Sequence, residues 1–184
     1  MPELKLLHAD HAPAVLAFEL ANRAYFAASV SDRGDDYFDR FTDRYHALLA
    51  EQEAGICAFY VLIDGDGQVL GRFNLYDIAD HRTDIAGEGA DIVGRRADIV
   101  ERRADLGYRV AEHAAGRGVA TAAVLELCES AETRHGLHTL RAATAHRNVA
   151  SQKVLTKAGF IAVGPADPAE LGGQPGTWYQ RSLR

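Results

Sequence analysis

Residues 104–124 read Ala104-Asp-Leu-Gly-Tyr-Arg-Val-Ala-Glu-His-Ala-Ala-Gly-Arg-Gly-Val-Ala-Thr-Ala-Ala-Val124, and this stretch decides the fold. Its first part, Asp105–Val110, is predicted to be a strand. Gly116 and Gly118 then mark a turn, and an alanine-rich helix is predicted to begin at Val119. The first amides of a helix have no partner within the helix, and the helix dipole attracts negative charge. The glycines let a ligand approach the backbone closely, so we interpret this turn as a pyrophosphate site.

Arg117 adds a positive charge to the same turn. A plain strand-to-helix turn, with glycines that serve geometry alone, is the alternative. The longer segment from His113 to Ala120 resembles the acetyl-CoA loop of the GNAT superfamily of N-acetyltransferases, which reads Gln/Arg-x-x-Gly-x-Gly/Ala. His113 stands where that family usually has Gln or Arg. In that family, the backbone amides of the loop do most of the phosphate binding.

The whole-chain composition is that of one globular domain, which we place at residues 1–184. Hydrophobic residues make up 47% of the 184 residues and charged residues 25%. The formal net charge of −6 argues against broad nucleic-acid binding, because that needs a basic surface. The N-terminus has no signal-peptide core and no apolar run is long enough to cross a membrane, so we expect a cytoplasmic protein without a membrane partner.

Cysteine and histidine do not form a recognisable site in the sequence. Cys57 and Cys128 lie in apolar runs and are typical of small buried hydrophobic residues. The pair His135 and His138 flanks Gly136, which we expect to end a helix, and no second pair completes a metal site. We therefore predict that the chain holds no metal.

The order of elements predicts an α/β (α+β) fold in which helices flank a mixed, mostly antiparallel central sheet. A strand is expected at 4–7, a helix capped by Asp10 next, a helix at about 36–52, and a hairpin of strands 55–63 and 68–78 around Asp64–Gly67. In the C-terminal half we predict a helix from 119 to about 135, strands at 137–145, 160–163 and 177–183, and a helix at 149–157 capped by Asn148. This order matches the GNAT arrangement over almost the whole chain.

A tandem repeat of seven residues precedes the strand at 105–110. Its copies begin at Ala90, Ala97 and Ala104, and we interpret 84–103 as an insertion that lengthened a surface connection. Apolar residues at 93, 97, 100 and 104 have helical spacing, so one or two helical turns are predicted there. A flap that binds a partner or gates the substrate is the alternative role.

A second segment, Asn148-Val-Ala-Ser-Gln-Lys-Val-Leu-Thr-Lys-Ala-Gly-Phe160, resembles the Asn-x-x-Ser/Ala…Gly-Phe segment of the ribosomal-protein N-alpha-acetyltransferase (RimJ/RimL-like) branch. The resemblance implies an enzyme that moves an acetyl group from acetyl-CoA to a primary amine in a ternary complex. The acceptor implied is an N-terminal alpha-amine of a protein, ribosomal or other, or a small amine. Whether the chain forms a homodimer is left open. Residues 23–38 are expected to build part of the acceptor pocket, and the acidic net charge favours a cationic acceptor.

The resemblance also implies roles for particular residues. Asp105 matches the carboxylate that accepts the amine proton, with Asp77 and Glu19 as lesser candidates, and Ser151 matches the serine that protonates the leaving thiolate. Leu155 occupies the position where many GNAT enzymes carry a tyrosine acid. Cofactor contacts are expected from the end of the strand at 105–110, from the loop after it, from the start of the next helix, and from the segment that begins at Asn148. The residues are Arg109, Val110, His113, Ala115, Gly116, Arg117, Gly118, Val119, Ala120, Thr121 and Asn148.

Two other functions compete with this interpretation. A scaffold or sensor would bind acetyl-CoA without turnover. A nucleotide-binding protein is suggested because Gly116–Thr121 approaches Gly-x-Gly-x-x-Gly. Against it, Thr121 replaces the last glycine, no Walker lysine is present, and the preceding strands indicate a hairpin rather than a βαβ unit.

Overall fold

A computed structural model of the chain describes residues 1–83 and 99–183. These residues form a sheet with the strand order β1-β2-β3-β4-β5-β7-β6. The strands are β1 (Glu3–Leu6), β2 (Ala58–Ile63), β3 (Val69–Thr83), β4 (Ile99–Val110), β5 (Thr139–Ala145), β6 (Ile161–Ala166) and β7 (Gly176–Ser182). The α-helices of the described residues are α1 (Ala12–Ala21), α2 (Arg23–Ala27), α3 (Asp35–Asp39), α4 (Phe41–Glu53), α5 (Val119–His135) and α6 (Val149–Lys157).

The sheet is antiparallel except between β4 and β5, which are parallel and are joined by α5. The predicted fold class, a mostly antiparallel sheet flanked by helices, is confirmed. β4 and β5 pair only over Arg103–Asp105 and Thr139–Arg141. Beyond Asp105, β4 continues against β3 while β5 continues against β7, so the two strands separate. This separation creates the cleft that positions the site.

The core lies between the sheet and the helices. Every residue of β2 is buried, and Val124, Leu127 and Ala131 of α5 are fully buried against the sheet. Burying a valine or leucine side chain stabilises the fold by about 1.5–3 kcal/mol, so α5 is fixed firmly over the strands. No helix in residues 1–83 or 99–183 has the length and apolar character needed to span a membrane.

Local signals in the sequence predicted the turns and helix ends well. The hairpin turn lies at 64–67: the Asp64 carboxylate accepts from the Asp66 and Gln68 amides at 2.9 Å, and Gly67 has a φ of 80°. Helix α5 ends at Gly136, whose φ is 63°. The Asn148 side chain caps α6 by accepting the Ser151 amide at 3.1 Å.

Three local predictions are wrong. Asp10 does not cap the first helix, because the His8 ring accepts the Asp10 amide instead and a short 3-10 helix at Ala9–His11 precedes α1. The helix predicted at 36–52 is two helices, α3 and α4, separated at Arg40. The segment 23–38, predicted as irregular, contains α2.

The predicted insertion lies mostly outside the described residues, which omit 84–98. Residues 99–103 belong to β4 and pair with β3 in the register Thr83↔Ile99 to Ala79↔Arg103. The helical turns predicted from the spacing at 100 and 104 are therefore wrong, because hydrogen bonding to β3 overrides a pattern that only a few residues support. The part of that prediction at 93 and 97 lies outside the described residues.

Candidate active site

The gap between β4 and β5 holds two adjoining cavities. The first has a volume of about 600 Å³ and lies along the end of β4, the loop before α5 and the start of α6. The second has a volume of about 370 Å³ and lies deeper between β3, β4 and β5. The walls that both cavities share are Ser29, Val30, Tyr108, Arg109, Asn148 and Ser151. A molecule in one cavity can therefore contact a molecule in the other.

The loop before α5 forms one wall of the first cavity. Gly116 and Gly118 have φ values of 74° and 78°, which are costly for other residues. Among the residues that the structure describes, no side chain caps the N-terminus of α5, so the amides of its first turn are free to bind a ligand. Lys153 and Lys157 of α6 line the same cavity. Free amides, a helix N-terminus and lysine side chains fit the phosphate groups of a coenzyme.

Most of the predicted cofactor residues lie on this cavity. Those in its wall are Arg109, Val110, Ala115, Gly116, Gly118, Ala120, Thr121 and Asn148. The others do not line it: His113 is exposed on a short 3-10 helix, Arg117 is exposed, and Val119 packs against the core. The loop therefore presents backbone rather than its longest side chains to the cavity.

Ser151 lies in the first turn of α6, where both cavities meet. Its hydroxyl oxygen is 2.9 Å from the Tyr108 hydroxyl oxygen, and the Tyr108 hydroxyl also donates to the Ser151 carbonyl at 3.3 Å. Burial raises the pKa of Tyr108 to about 12, although the hydrogen bond to Ser151 works in the other direction. Tyr108 therefore keeps its proton at any working pH. Leu155 is fully buried in the core and lies outside both cavity walls.

Sequence reasoning missed Tyr108. Its ring stacks on Phe73 with centroids 5.8 Å apart, as expected for a core tyrosine on a strand. Its contact with Ser151 joins residues 43 positions apart. No local pattern in the sequence signals this contact.

Asp105 lies at the point where β4 and β5 separate. Its carboxylate accepts two hydrogen bonds from the Arg141 guanidinium, at 3.0 and 3.1 Å, and Arg141 lies over the Trp178 ring at 4.3 Å. Asp105 and Asp77 line an adjoining groove, and neither lines the two cavities. The Tyr76 ring covers Gly107, which follows Asp105 on the same face of β4, since a Cβ at Gly107 would lie 3.1 Å from that ring.

Glu19 is the centre of a buried ion cluster beside the second cavity. Only 2% of its surface is exposed, and its carboxylate lies 2.7 Å from Arg72, 3.2 Å from Arg109 and 3.4 Å from Arg33. Burial and then repulsion by Arg33 lower the pKa of Arg109. Burial is the largest effect on Arg72 and lowers its pKa, but the attraction and hydrogen bond of Glu19, together with Tyr37 and Tyr76, outweigh burial and raise the pKa. Glu19 is thus fully engaged with cations.

The comparisons with known proteins place the chain in a family. The sequence profile of the acetyltransferase (GNAT) domain matches residues 3–161. The chain belongs to the GNAT acetyltransferase family. It is therefore an N-acetyltransferase with acetyl-CoA as its co-substrate, and a resemblance to the ribosomal-protein acetyltransferases is confirmed at the level of fold. A comparison with curated protein sequences gives no match.

Solved structures of acetyltransferases share the fold over 80–95% of their length. Ribosomal-protein-S5-alanine acetyltransferase from Vibrio fischeri is 19% identical, with a TM-score of 0.79 over 99% of this chain and 93% of that one. RimJ from Mycobacterium smegmatis, in complex with CoA-disulfide, is 23% identical, with a TM-score of 0.77 over 97% and 80%. Spermidine N-acetyltransferase from Vibrio cholerae, in complex with CoA and spermine, is 15% identical, with a TM-score of 0.72 over 99% and 95%.

The acetyltransferase has no metal centre in the part of the chain that the structure describes. Within residues 1–83 and 99–183, no three His, Cys, Asp or Glu side chains are grouped so that they could hold an ion. His135, one of the pair considered from the sequence, instead contacts the Tyr60 hydroxyl through its ring at 2.8 Å.

Proposed function

We propose that acetyl-CoA occupies the first cavity, that the acceptor amine enters the second, and that the acetyl group passes directly between them. The observation that carries this proposal is the wall shared by the two cavities, where Tyr108 and Ser151 place two hydroxyl groups. The amides of Gly116, Gly118 and the first turn of α5 bind the pyrophosphate. Among the described residues, the edge of β4 beyond Asp105 that faces the gap has no strand partner, and it pairs with the pantetheine arm as an added strand would.

Acetyl-CoA supplies the thioester, and the residues of this chain orient it and move protons. The amine nitrogen forms a bond to the thioester carbonyl carbon, the carbon–sulfur bond breaks, and the amine loses one proton. The Tyr108 and Ser151 hydroxyl groups are hydrogen-bonded to each other, with their oxygen atoms 2.9 Å apart. We propose that this pair donates the proton that the leaving thiolate takes up. Since the pKa of Tyr108 is about 12, this proton is present at neutral pH.

Asp105 stays our candidate for accepting the amine proton. Its carboxylate already binds Arg141 and lies in the adjoining groove, so a water must relay the proton past Tyr76. The groove and the second cavity share Tyr76, Leu106 and Gly107 as walls, which gives this relay a route. Whether or not Asp105 accepts the proton, holding both substrates together supplies much of the rate.

The acceptor belongs to the amines, and an N-terminal alpha-amine of a protein is one candidate. Segment 23–38, the expected acceptor region, contributes Ser29, Val30, Ser31 and Arg33 to the second cavity. The cytoplasmic location stays a prediction, and the oligomeric state stays open.

The test is a thiol-release assay with acetyl-CoA and three acceptor classes: N-terminal peptides, polyamines and aminoglycosides. Calorimetry with acetyl-CoA accompanies it. Turnover with any amine, together with saturable acetyl-CoA binding, supports the proposal. Binding without turnover on any amine would identify a sensor or scaffold instead.

A further inference from the structure

The charged residues of the second cavity are mostly cationic. Its wall contains Arg33, Arg72 and Arg109, and Glu170 at its exposed mouth is the one acidic residue among the described residues that line it. Glu19 lies behind the three arginines and contacts all of them. One buried carboxylate cannot neutralise three guanidinium groups. Burial, and after it repulsion by Arg33, lowers the pKa of Arg109.

The same cavity has unused hydrogen-bonding capacity. Among the described residues, the Arg72 Nε, Asn74 Oδ1 and Thr144 Oγ1 atoms have no hydrogen-bond partner although they are buried. Arg72 and Thr144 are each only 3% exposed, and all three residues line the second cavity. Buried polar groups are nearly always satisfied in native proteins, so unpaired ones that share a cavity indicate a ligand.

We propose that the acceptor carries a carboxylate close to its reacting amine, and that the arginines at 33, 72 and 109 bind this carboxylate in the second cavity. This inference rests on the proposed function, because it assumes that the amine enters that cavity. A planar guanidinium group matches a carboxylate in shape and charge. Asn74 and Thr144 offer oxygen atoms to the N–H groups of the amine. The wall thus disfavours a polyamine, and this proposal differs from the cationic acceptor expected from net charge.

The surrounding charges are compatible with this assignment. Arg23, on the same side of the sheet, is neutralised by Asp32 and Asp35, with contacts of 2.6 and 2.8 Å. The adjoining groove is acidic, with Glu51, Asp77 and Asp105, but it lies on the other side of Tyr76. A polyamine would have to place its second positive charge in that groove. Efficient turnover of a polyamine would therefore contradict the proposal most directly.

The experiment measures kcat/KM for matched acceptor pairs under saturating acetyl-CoA. One arm compares free α-amino acids with their amides. A second arm compares amidated dipeptides that carry Asp or Glu at either position with their Asn or Gln counterparts. Spermidine is the cationic probe. A charge-assisted hydrogen bond predicts a preference of about 10- to 100-fold for the carboxylate member. The arm that shows it identifies an α-carboxylate or an acidic side chain as the source.

Two variants connect the preference to the wall. Arg33→Gln should reduce the preference about tenfold, through KM rather than kcat, and because the Arg33 side chain is partly exposed the variant should stay folded. Arg40→Gln is the matched control, since Arg40 pairs with Asp36 at 3.1 Å and lines neither cavity, and it should leave the preference unchanged.

Each outcome decides between the claims. Equal rates within every pair, or faster turnover of spermidine, overturn the inference and leave the proposed function intact. A preference that Arg33→Gln does not change overturns the role of the arginines. If acetyl-CoA binds but no amine of any class is acetylated, the proposed function fails, and the inference fails with it.

Discussion

Removing the two hydroxyl groups at the shared wall, singly and together, gives the most direct test of the chemistry. The variants are Ser151→Ala, Tyr108→Phe and the double variant. If the pair protonates the thiolate, each single variant should lower the single-turnover rate by about 10²–10⁴-fold. At 1.36 kcal/mol for each factor of ten, this is a loss of about 2.7–5.4 kcal/mol of transition-state stabilisation.

The geometry also predicts how the losses combine. The two oxygen atoms are 2.9 Å apart and share one proton path, so breaking either end removes the same function. The double variant should therefore be about as slow as the slower single variant. Independent contributions would multiply instead. Acetyl-CoA affinity, measured by calorimetry, should stay nearly constant, because the loss is confined to the transition state.

A matched control separates chemistry from stability. Tyr60→Phe removes another partly buried tyrosine hydroxyl, which contacts the His135 ring at 2.8 Å and lines neither cavity. Both Tyr→Phe variants should lose about 0.5–1.5 kcal/mol of unfolding free energy, the usual net value of such a hydrogen bond. Only Tyr108→Phe should lose activity. Losses below about threefold for both Ser151→Ala and Tyr108→Phe, at every pH, would refute the assigned role and leave proximity as the source of the rate.

The other predictions concern the loop, the base, the pH profile and the ion cluster. Gly118→Asp should abolish the calorimetric binding of acetyl-CoA, because it adds a negative charge at the pyrophosphate and a side chain at a φ of 78°. Gly67→Asp, at a φ of 80° in a distant turn, is the control, and unchanged affinity in folded Gly118→Asp would contradict the site. Asp105→Asn should slow turnover most near neutral pH and least at high pH, where the amine loses its proton unaided. Asp77→Asn, in the same groove, is the control and should leave turnover unchanged. Equal rates for wild type and Asp105→Asn at all pH values would exclude Asp105 as the proton acceptor. Since Tyr108 stays protonated up to a pKa of about 12, kcat/KM should rise with pH and show no descending limb below about pH 10; a descending limb that Tyr108→Phe removes would disprove this. Glu19→Gln should cost about 3–5 kcal/mol of unfolding free energy in urea, because it leaves buried arginines without their counter-charge, and a loss below about 1 kcal/mol would show that the cluster is not coupled as described.

The features that the sequence predicted are those with local causes. The turn at 116–118 and the ends of α5 and α6 depend on glycine conformations and on an asparagine cap, and these signals lie within a few residues of the structure they control. The Gly-x-Gly turn and the helix after it therefore lie at the first cavity, and the binding of acetyl-CoA there stays a proposal. His113 and Val119 do not line this cavity, because His113 lies on a short 3-10 helix and Val119 packs against the core.

The features that the sequence did not predict depend on distant partners. Glu19 meets Arg109 across 90 residues, and Asp105 meets Arg141 only because β4 and β5 pair in one register. The helical spacing at 100 and 104 was likewise overridden by the antiparallel partner strand, which supplies hydrogen bonds that an isolated pattern cannot reveal.

Strand alternation explains how one short segment serves both halves of the proposed reaction. Tyr108 and Arg109 are consecutive on β4, so their side chains leave opposite faces of the sheet. Tyr108 stacks on Phe73 and reaches Ser151, while Arg109 lies over the Phe26 ring at 4.9 Å and reaches Glu19. Burial keeps the proton on Tyr108, and the arginines on the other face favour the uncharged form of an amine placed beside them. The acceptor is thereby favoured as the neutral nucleophile beside a group that retains its acid proton, and this pairing requires no strong base.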